Sequence, residues 1–149
     1  MNIYKENKHS IVVHCHSNEA YAQIILWGEA GWWPKNSLMR FLRSGTGQVS
    51  EGTCYRQEVL LPFAPSWDVE VEKIGDKSIT RRFLNGMFSG SETISVESAK
   101  DAVVISYVMN YKINGFFNKI LWPLVFEHLH NRNIEEILFS LKSYLEKVR

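Results

Sequence analysis

The side chains able to bind a metal, move a proton or carry a buried charge are few, and little in their spacing lets them act together. His14-x-His16 sets two imidazoles on one face of a strand, a pattern that suits a transition metal. Such a site needs three or four ligands and no third is at hand, so the pair reads as a solvated one and no metal is expected. Glu127-His128-x-His130 has a similar look on a helix. At 100° per residue, however, His128 and His130 stand about 200° apart and cannot face one ion. His128 instead shares an apolar helix face with Phe117, Leu121, Leu124 and Val125. There it is a general base, a hydrogen-bonding group for a ligand, or a core histidine bonded to a backbone carbonyl. Cys54 alternates with Tyr55 and points away from the apolar side of its strand, so it is no nucleophile. Gly45-x-Gly47 is a turn, and the Walker and Rossmann spacings are absent. No cofactor is expected.

Composition narrows the classes further. The chain has 149 residues, 45% of them hydrophobic and 13% aromatic, with 17 Lys plus Arg against 16 Asp plus Glu. The apolar fraction is too high and the net charge of +1 too low for a disordered chain. A charge near zero also argues against nucleic-acid binding, which uses a strongly basic face. Two cysteines, Cys15 and Cys54, make no disulfide framework and point to a reducing compartment. Met1 to Lys8 is polar and carries no secretory apolar core. The longest apolar run, Ile120 to Phe126, is seven residues with Pro123 inside it, against roughly 20 for a membrane span. The expectation is one domain over 1–149, cytoplasmic, without stable membrane insertion, as a monomer or homodimer.

The elements that must position these residues follow from periodicity. Residues 10–16 read as a strand with Ile11, Val12 and Val13. Ser17 or Asn18 caps a helix that buries Ala20, Ile24 and Trp27, and Gly28 and Gly31 end it. A second short helical turn around Trp32 and Trp33 closes at Pro34. From 37 to 113 the period is two: segments 37–44, 52–61, 67–74, 77–85, 90–97 and 102–113 are strands. Turn signals such as Gly75-Asp76, Asn85-Gly86 and Lys100-Asp101 separate them, and such short links make an antiparallel meander. Phe116 to Val148 reads as one long helix, with Pro123 as a kink. Ile134, Ile137, Leu138, Leu141, Leu145 and Val148 lie nearly opposite the Phe117–His128 face. The order is one strand, two helices, six strands and a long helix, an α+β class.

Strand alternation sorts the faces. The inward set is Tyr55, Gln57 and Val59; Trp67, Val69 and Val71; Ile79, Arg81 and Phe83; Glu92, Ile94 and Val96; and Val103, Ile105, Tyr107, Met109 and Tyr111. An apolar face with a few placed polar groups is the usual lining of a small-molecule site. Arg81 and Glu92 are costly there if unpaired. They pair with each other, with a ligand or with water, or the strand ends expose them.

The order and its motifs resemble the START-like, or helix-grip, superfamily, in its polyketide cyclase/dehydrase and lipid-transport branch. The motifs are Ala30-Gly31-Trp32-Trp33-Pro34 after the first helix, Gly52-Thr53-Cys54-Tyr55-Arg56 running into Leu61-Pro62-Phe63, Asn85-Gly86-Met87-Phe88-Ser89-Gly90, and Leu121-Trp122-Pro123 followed by His128 or His130. The resemblance implies a seven-stranded curved antiparallel sheet wrapped around the long C-terminal helix, with a cavity between. It implies binding, transport or sensing of a hydrophobic small molecule or lipid. One alternative is a cyclase- or dehydratase-like enzyme that uses His128 or His130, Arg81 and Tyr107. Another is a protein-interaction module with an open groove. Members often carry a bulky apolar residue where Glu92 stands here. The expected ligand contacts are Trp33, Tyr55, Gln57, Trp67, Arg81, Glu92, Ile105, Tyr107, Met109, Leu124 and His128, with His128 the candidate for catalysis.

Overall fold

The structure, a computed structural model, describes residues 3–62 and 64–147. Phe63 of the Leu61-Pro62-Phe63 motif and Val148 of the helical stripe lie outside the described residues. β1 (Lys5–Val13) and α1 (Ser17–Ile24) come first. The meander follows: β2 (Met39–Ser44), β3 (Cys54–Val59), β4 (Ser66–Ile74), β5 (Ser78–Phe83), β6 (Phe88–Ser98) and β7 (Val103–Ile113). All seven strands join one antiparallel sheet in the order β1-β7-β6-β5-β4-β3-β2. The chain ends with α2 (Phe116–Leu121), a π-helical turn (Trp122–Phe126) and α3 (Glu127–Lys147). This is the helix-grip α+β architecture, a curved sheet closed on a long C-terminal helix.

The period-two segments form strands within two residues of their expected limits, because short turns leave the ladder no other pairing. Gly75 N–H donates to the Ser78 carbonyl at 2.9 Å, and Ala99 N–H to the Ala102 carbonyl at 2.9 Å. Alternation holds as well. Trp67, Val69, Val71, Ile79, Arg81, Glu92, Ile94, Ile105, Tyr107 and Met109 are all buried. Their neighbours Arg56, Asp68, Glu70 and Arg82 pair on the outer face, where solvent screens them and each pair contributes little. Gly90 bends β6 tightly over β7: with φ of 121°, a Cβ there would stand 2.0 Å from the Asn110 carbonyl oxygen.

Three expectations are corrected. β1 is not 10–16 but begins at Lys5, pairing with β7 from Lys5↔Tyr111 to Val13↔Val103. It is an edge strand whose polar residues hide its period, a common composition for an exposed edge. His14 and His16 therefore follow the strand and are exposed. No second helix forms between α1 and β2, where the chain runs through turns. Gly28 adopts φ of 92°, and a Cβ there would meet the Phe41 ring at 2.6 Å, so helical backbone cannot continue past it.

The last helix is the third correction. Pro123 has no N–H to donate and its ring crowds the preceding turn. The expected break at Pro123 is a π turn between two α segments, and what is corrected is which face of the first half is buried. Phe117, Leu121, Leu124, Val125 and His128 face outward, with Leu124 73% exposed. The inward stripe is found by extending Ile134 backwards in steps of four, through His130 and Phe126 to Trp122. Trp122 is buried, stands 4.9 Å from the Phe88 ring and donates to the Tyr111 hydroxyl at 2.9 Å.

Candidate functional site

Between α3, the π turn and the strand ends of β2, β3 and β4 lies a small apolar cavity of about 30 Å³. Trp67, Met87 and Trp122 wall its inner side. Leu38, Val59, Leu61, Pro65, Phe126 and Leu129 surround it and are only half-buried. Two side chains bring polarity to it, His130 and Asn133, one turn apart on α3.

Asn133 is positioned by the start of β2. Its Oδ1 accepts from the Ser37 hydroxyl at 3.1 Å and from Leu38 N–H at 3.2 Å. Its Nδ2 is buried and has no partner among the described residues. His130 is held between rings, with Trp122 at 5.5 Å and Tyr107 at 5.9 Å. Its Nε2 is likewise buried without a partner among those residues. Burial, assisted by His9, lowers its pKa to about 3. It is therefore neutral at physiological pH and offers one ring nitrogen as donor or acceptor.

A second polar group lies deeper. Arg81 and Glu92 stand opposite each other in the β5–β6 ladder, and both are buried. Arg81 Nη2 donates to the Trp27 carbonyl at 2.8 Å, and the guanidinium stacks 4.4 Å from the Tyr55 ring and 5.5 Å from Phe41. Tyr107 donates to Glu92 Oε2 at 2.8 Å. Arg81 Nε and Nη1, Glu92 Oε1 and the Tyr55 hydroxyl have no hydrogen-bond partner among the described residues. Burial raises the Glu92 pKa and lowers that of Arg81, and each charge opposes the shift of the other. Burial and then Glu92 hold the Tyr107 phenol well above its usual range. The two polar groups meet at Tyr107, whose ring faces His130 and whose hydroxyl holds Glu92.

No protein-family model matches the sequence, and no curated protein matches it. Solved structures do. Norcoclaurine synthase from Thalictrum flavum, in complex with dopamine and hydroxybenzaldehyde, superposes with a TM-score of 0.71 at 16% identity, over 99% of this chain and 90% of its own. A major latex-like protein from Panax ginseng gives 0.70 at 10% identity, over 95% and 97%. A START superfamily protein from Mycobacterium smegmatis gives 0.64 at 14%, over 97% and 99%. The chain has the START-like helix-grip fold. At these identities the likeness fixes the architecture, and the site rests on this chain's own residues.

Those residues divide clearly. Of the expected ligand contacts, Trp67 lines the cavity of this helix-grip domain. Gln57 is buried behind it, accepting from Trp67 Nε1 at 3.0 Å and donating to Met39 Sδ at 3.0 Å. Tyr55, Arg81, Glu92, Tyr107 and Met109 belong to the deeper group, and Ile105 sits in filled core between Ile11 and Val96 on the neighbouring strands. Trp33 packs on Trp27 and Phe41 and donates at 3.3 Å to the carbonyl of Met39, a lining residue, but does not itself line the cavity. Leu124 and His128 face outward, and His130 takes the inward place expected of His128. Burial and Glu70 raise the Cys54 pKa, which keeps it a thiol. Among the described residues no group of three or more ligating side chains is gathered.

Asn133 is the residue that sequence reasoning missed. It falls four positions before Ile137 on the buried stripe, and a polar residue at such a position is the available signal.

Proposed function

We propose that this domain binds a small, mainly apolar molecule with a neutral hydrogen-bonding group, held between the sheet and α3. The observation that carries the reading is the pairing of two unpartnered buried polar atoms, His130 Nε2 and Asn133 Nδ2, on one wall of an otherwise apolar cavity. Such atoms lose hydration on burial and regain it only from a partner. A carbonyl or hydroxyl oxygen suits both, because the amide donates and the imidazole has either role. A neighbour of the same fold, norcoclaurine synthase in complex with dopamine and hydroxybenzaldehyde, supports this reading.

The cavity as it stands has room for a water or two, whereas drug-sized ligands occupy roughly 300–1,000 Å³. Binding therefore displaces wall residues, and the half-buried Leu38, Leu61, Phe126 and Leu129 are the ones free to move. Transport or sensing of a lipid is the larger-ligand form of the same reading. A cyclase- or dehydratase-like activity has one observation in its favour, the neutral His130 beside the cavity. Acid–base turnover generally needs a second proton-transfer group within reach, and His130 is the one titratable side chain in the described lining. Binding is thus the better-supported function.

Native mass spectrometry of freshly purified protein, with and without added 2-naphthol, tests it. The expected result is one co-purified or added small molecule per chain. A bare chain mass in both samples overturns the proposal.

A further inference from the structure

We propose that the outer side of the segment 116–125 docks the protein reversibly on an anionic lipid surface. Phe116, Phe117, Ile120, Leu121, Leu124 and Val125 stand 41 to 76% exposed within ten residues of chain. They form two parallel rows with a spacing of four, 116-120-124 and 117-121-125, so they make one continuous stripe. The inward side of the same segment is already supplied by Trp122 and Phe126. Contiguous exposed apolar surface of this kind marks a contact surface rather than chance exposure. Ile3, 66% exposed, lines the same surface hollow as Lys119 of α2.

The rim of the stripe is basic. Lys119 on α2 shares a surface hollow with Lys5 and Lys112, and Lys112 Nζ lies 5.9 Å from the Tyr4 ring. None of the three pairs with a carboxylate among the described residues. Glu6, whose ladder partner is Asn110, shares a sheet face with Lys112 but forms no ion pair with it among the described residues.

This pattern selects the partner. Apolar side chains sink into the headgroup–acyl boundary while flanking lysines meet lipid phosphates and carboxylates. A second copy of the chain would cover the apolar stripe but brings no lipid phosphate to the lysine rim, so dimerisation is an outcome that the test below separates from docking. Among the described residues no helix is long and apolar enough to cross a membrane, so the contact is peripheral. It does not depend on the cavity reading, although the π turn serves both: Trp122 and Phe126 wall the cavity and their neighbours form the stripe.

Co-sedimentation with phosphatidylcholine vesicles, with and without phosphatidylserine, tests the docking. The full chain should bind the phosphatidylserine vesicles and be released by added salt. Phe116→Ser with Phe117→Ser should weaken this roughly tenfold or more, and Lys112→Gln with Lys119→Gln about thirtyfold. Both pairs lie on the surface and should keep the wild-type circular dichroism and melting temperature. The proposal is overturned if wild type ignores phosphatidylserine vesicles or if both double variants bind them undiminished. It is also overturned if wild type is a dimer that Phe116→Ser with Phe117→Ser makes monomeric while neither binds vesicles.

Discussion

Arg81 and Glu92 at one end of the interior, and His130 and Asn133 at the other, are two answers to the same difficulty. Both ends place polar groups inside an apolar shell. At the Arg81 end the space is filled: Trp27, Phe41 and Tyr55 close on the guanidinium, and Tyr107 holds the carboxylate. At the His130 end a cavity remains, and the walls are half-buried aliphatic side chains. The difference follows from charge. Buried charge is strongly destabilising if it loses its counter-charge, so the charged end must stay closed. Arg81 and Glu92 nonetheless face each other across the ladder without a direct ion-pair contact among the described residues, and they keep unpartnered polar atoms of their own. A neutral imidazole and an amide cost less when unpartnered, so that end can remain accessible to a ligand.

The largest expected effect breaks the charged end. Arg81→Met leaves Glu92 buried without its counter-charge and should cost about 3–5 kcal/mol in chemical denaturation. Adding Glu92→Met should recover most of that loss. Single variants that each cost under about 1 kcal/mol would show that the two charges are not coupled.

The His130 end should respond to pH. A histidine with a folded pKa of about 3 and an unfolded one near 6.5 binds fewer protons when folded. Its contribution is complete above the unfolded value and is lost as pH falls from there towards 3. Between pH 7 and pH 5 wild type should lose about 2 kcal/mol relative to His130→Leu. Denaturation curves of the two proteins that shift in parallel with pH would contradict the buried, neutral imidazole.

A smaller effect sharpens the role of Asn133. Asn133→Leu removes the acceptor for Ser37 and Leu38 and should cost about 1–2 kcal/mol. Hydrogen exchange should report it as faster exchange at Leu38 N–H. Unchanged exchange there would remove Asn133 as the tether between α3 and β2.

Much of this was legible in the residues. Two-residue periodicity and short turns specify the meander, because a one-residue slip would turn every apolar side chain outward. The same alternation identifies Arg81 and Glu92 as inward exceptions. The helix was harder. Phe117, Leu121 and Leu124 are more apolar than Phe126, His130 and Asn133, so hydrophobicity alone selects the wrong face over 116–128. The buried stripe of the second half, carried back from Ile134, selects the right one. The tryptophans carry no such signal: Trp33, Trp67 and Trp122 are equally apolar, and which of them borders the cavity depends on long-range closure. Cavity size is likewise invisible in sequence, since it is what packing leaves over.

The most direct test of the ligand-binding account is a 2-naphthol titration of wild type and Leu38→Trp, followed by calorimetry. Leu38 is half-buried at the cavity wall, so an indole there takes the space by the same outward displacement of the wall that a ligand needs, at a cost of about 1–3 kcal/mol. The account predicts saturable one-to-one binding to wild type, and no binding to Leu38→Trp, with the circular dichroism of the folded protein kept. Equal binding by both proteins, or by neither, would contradict it.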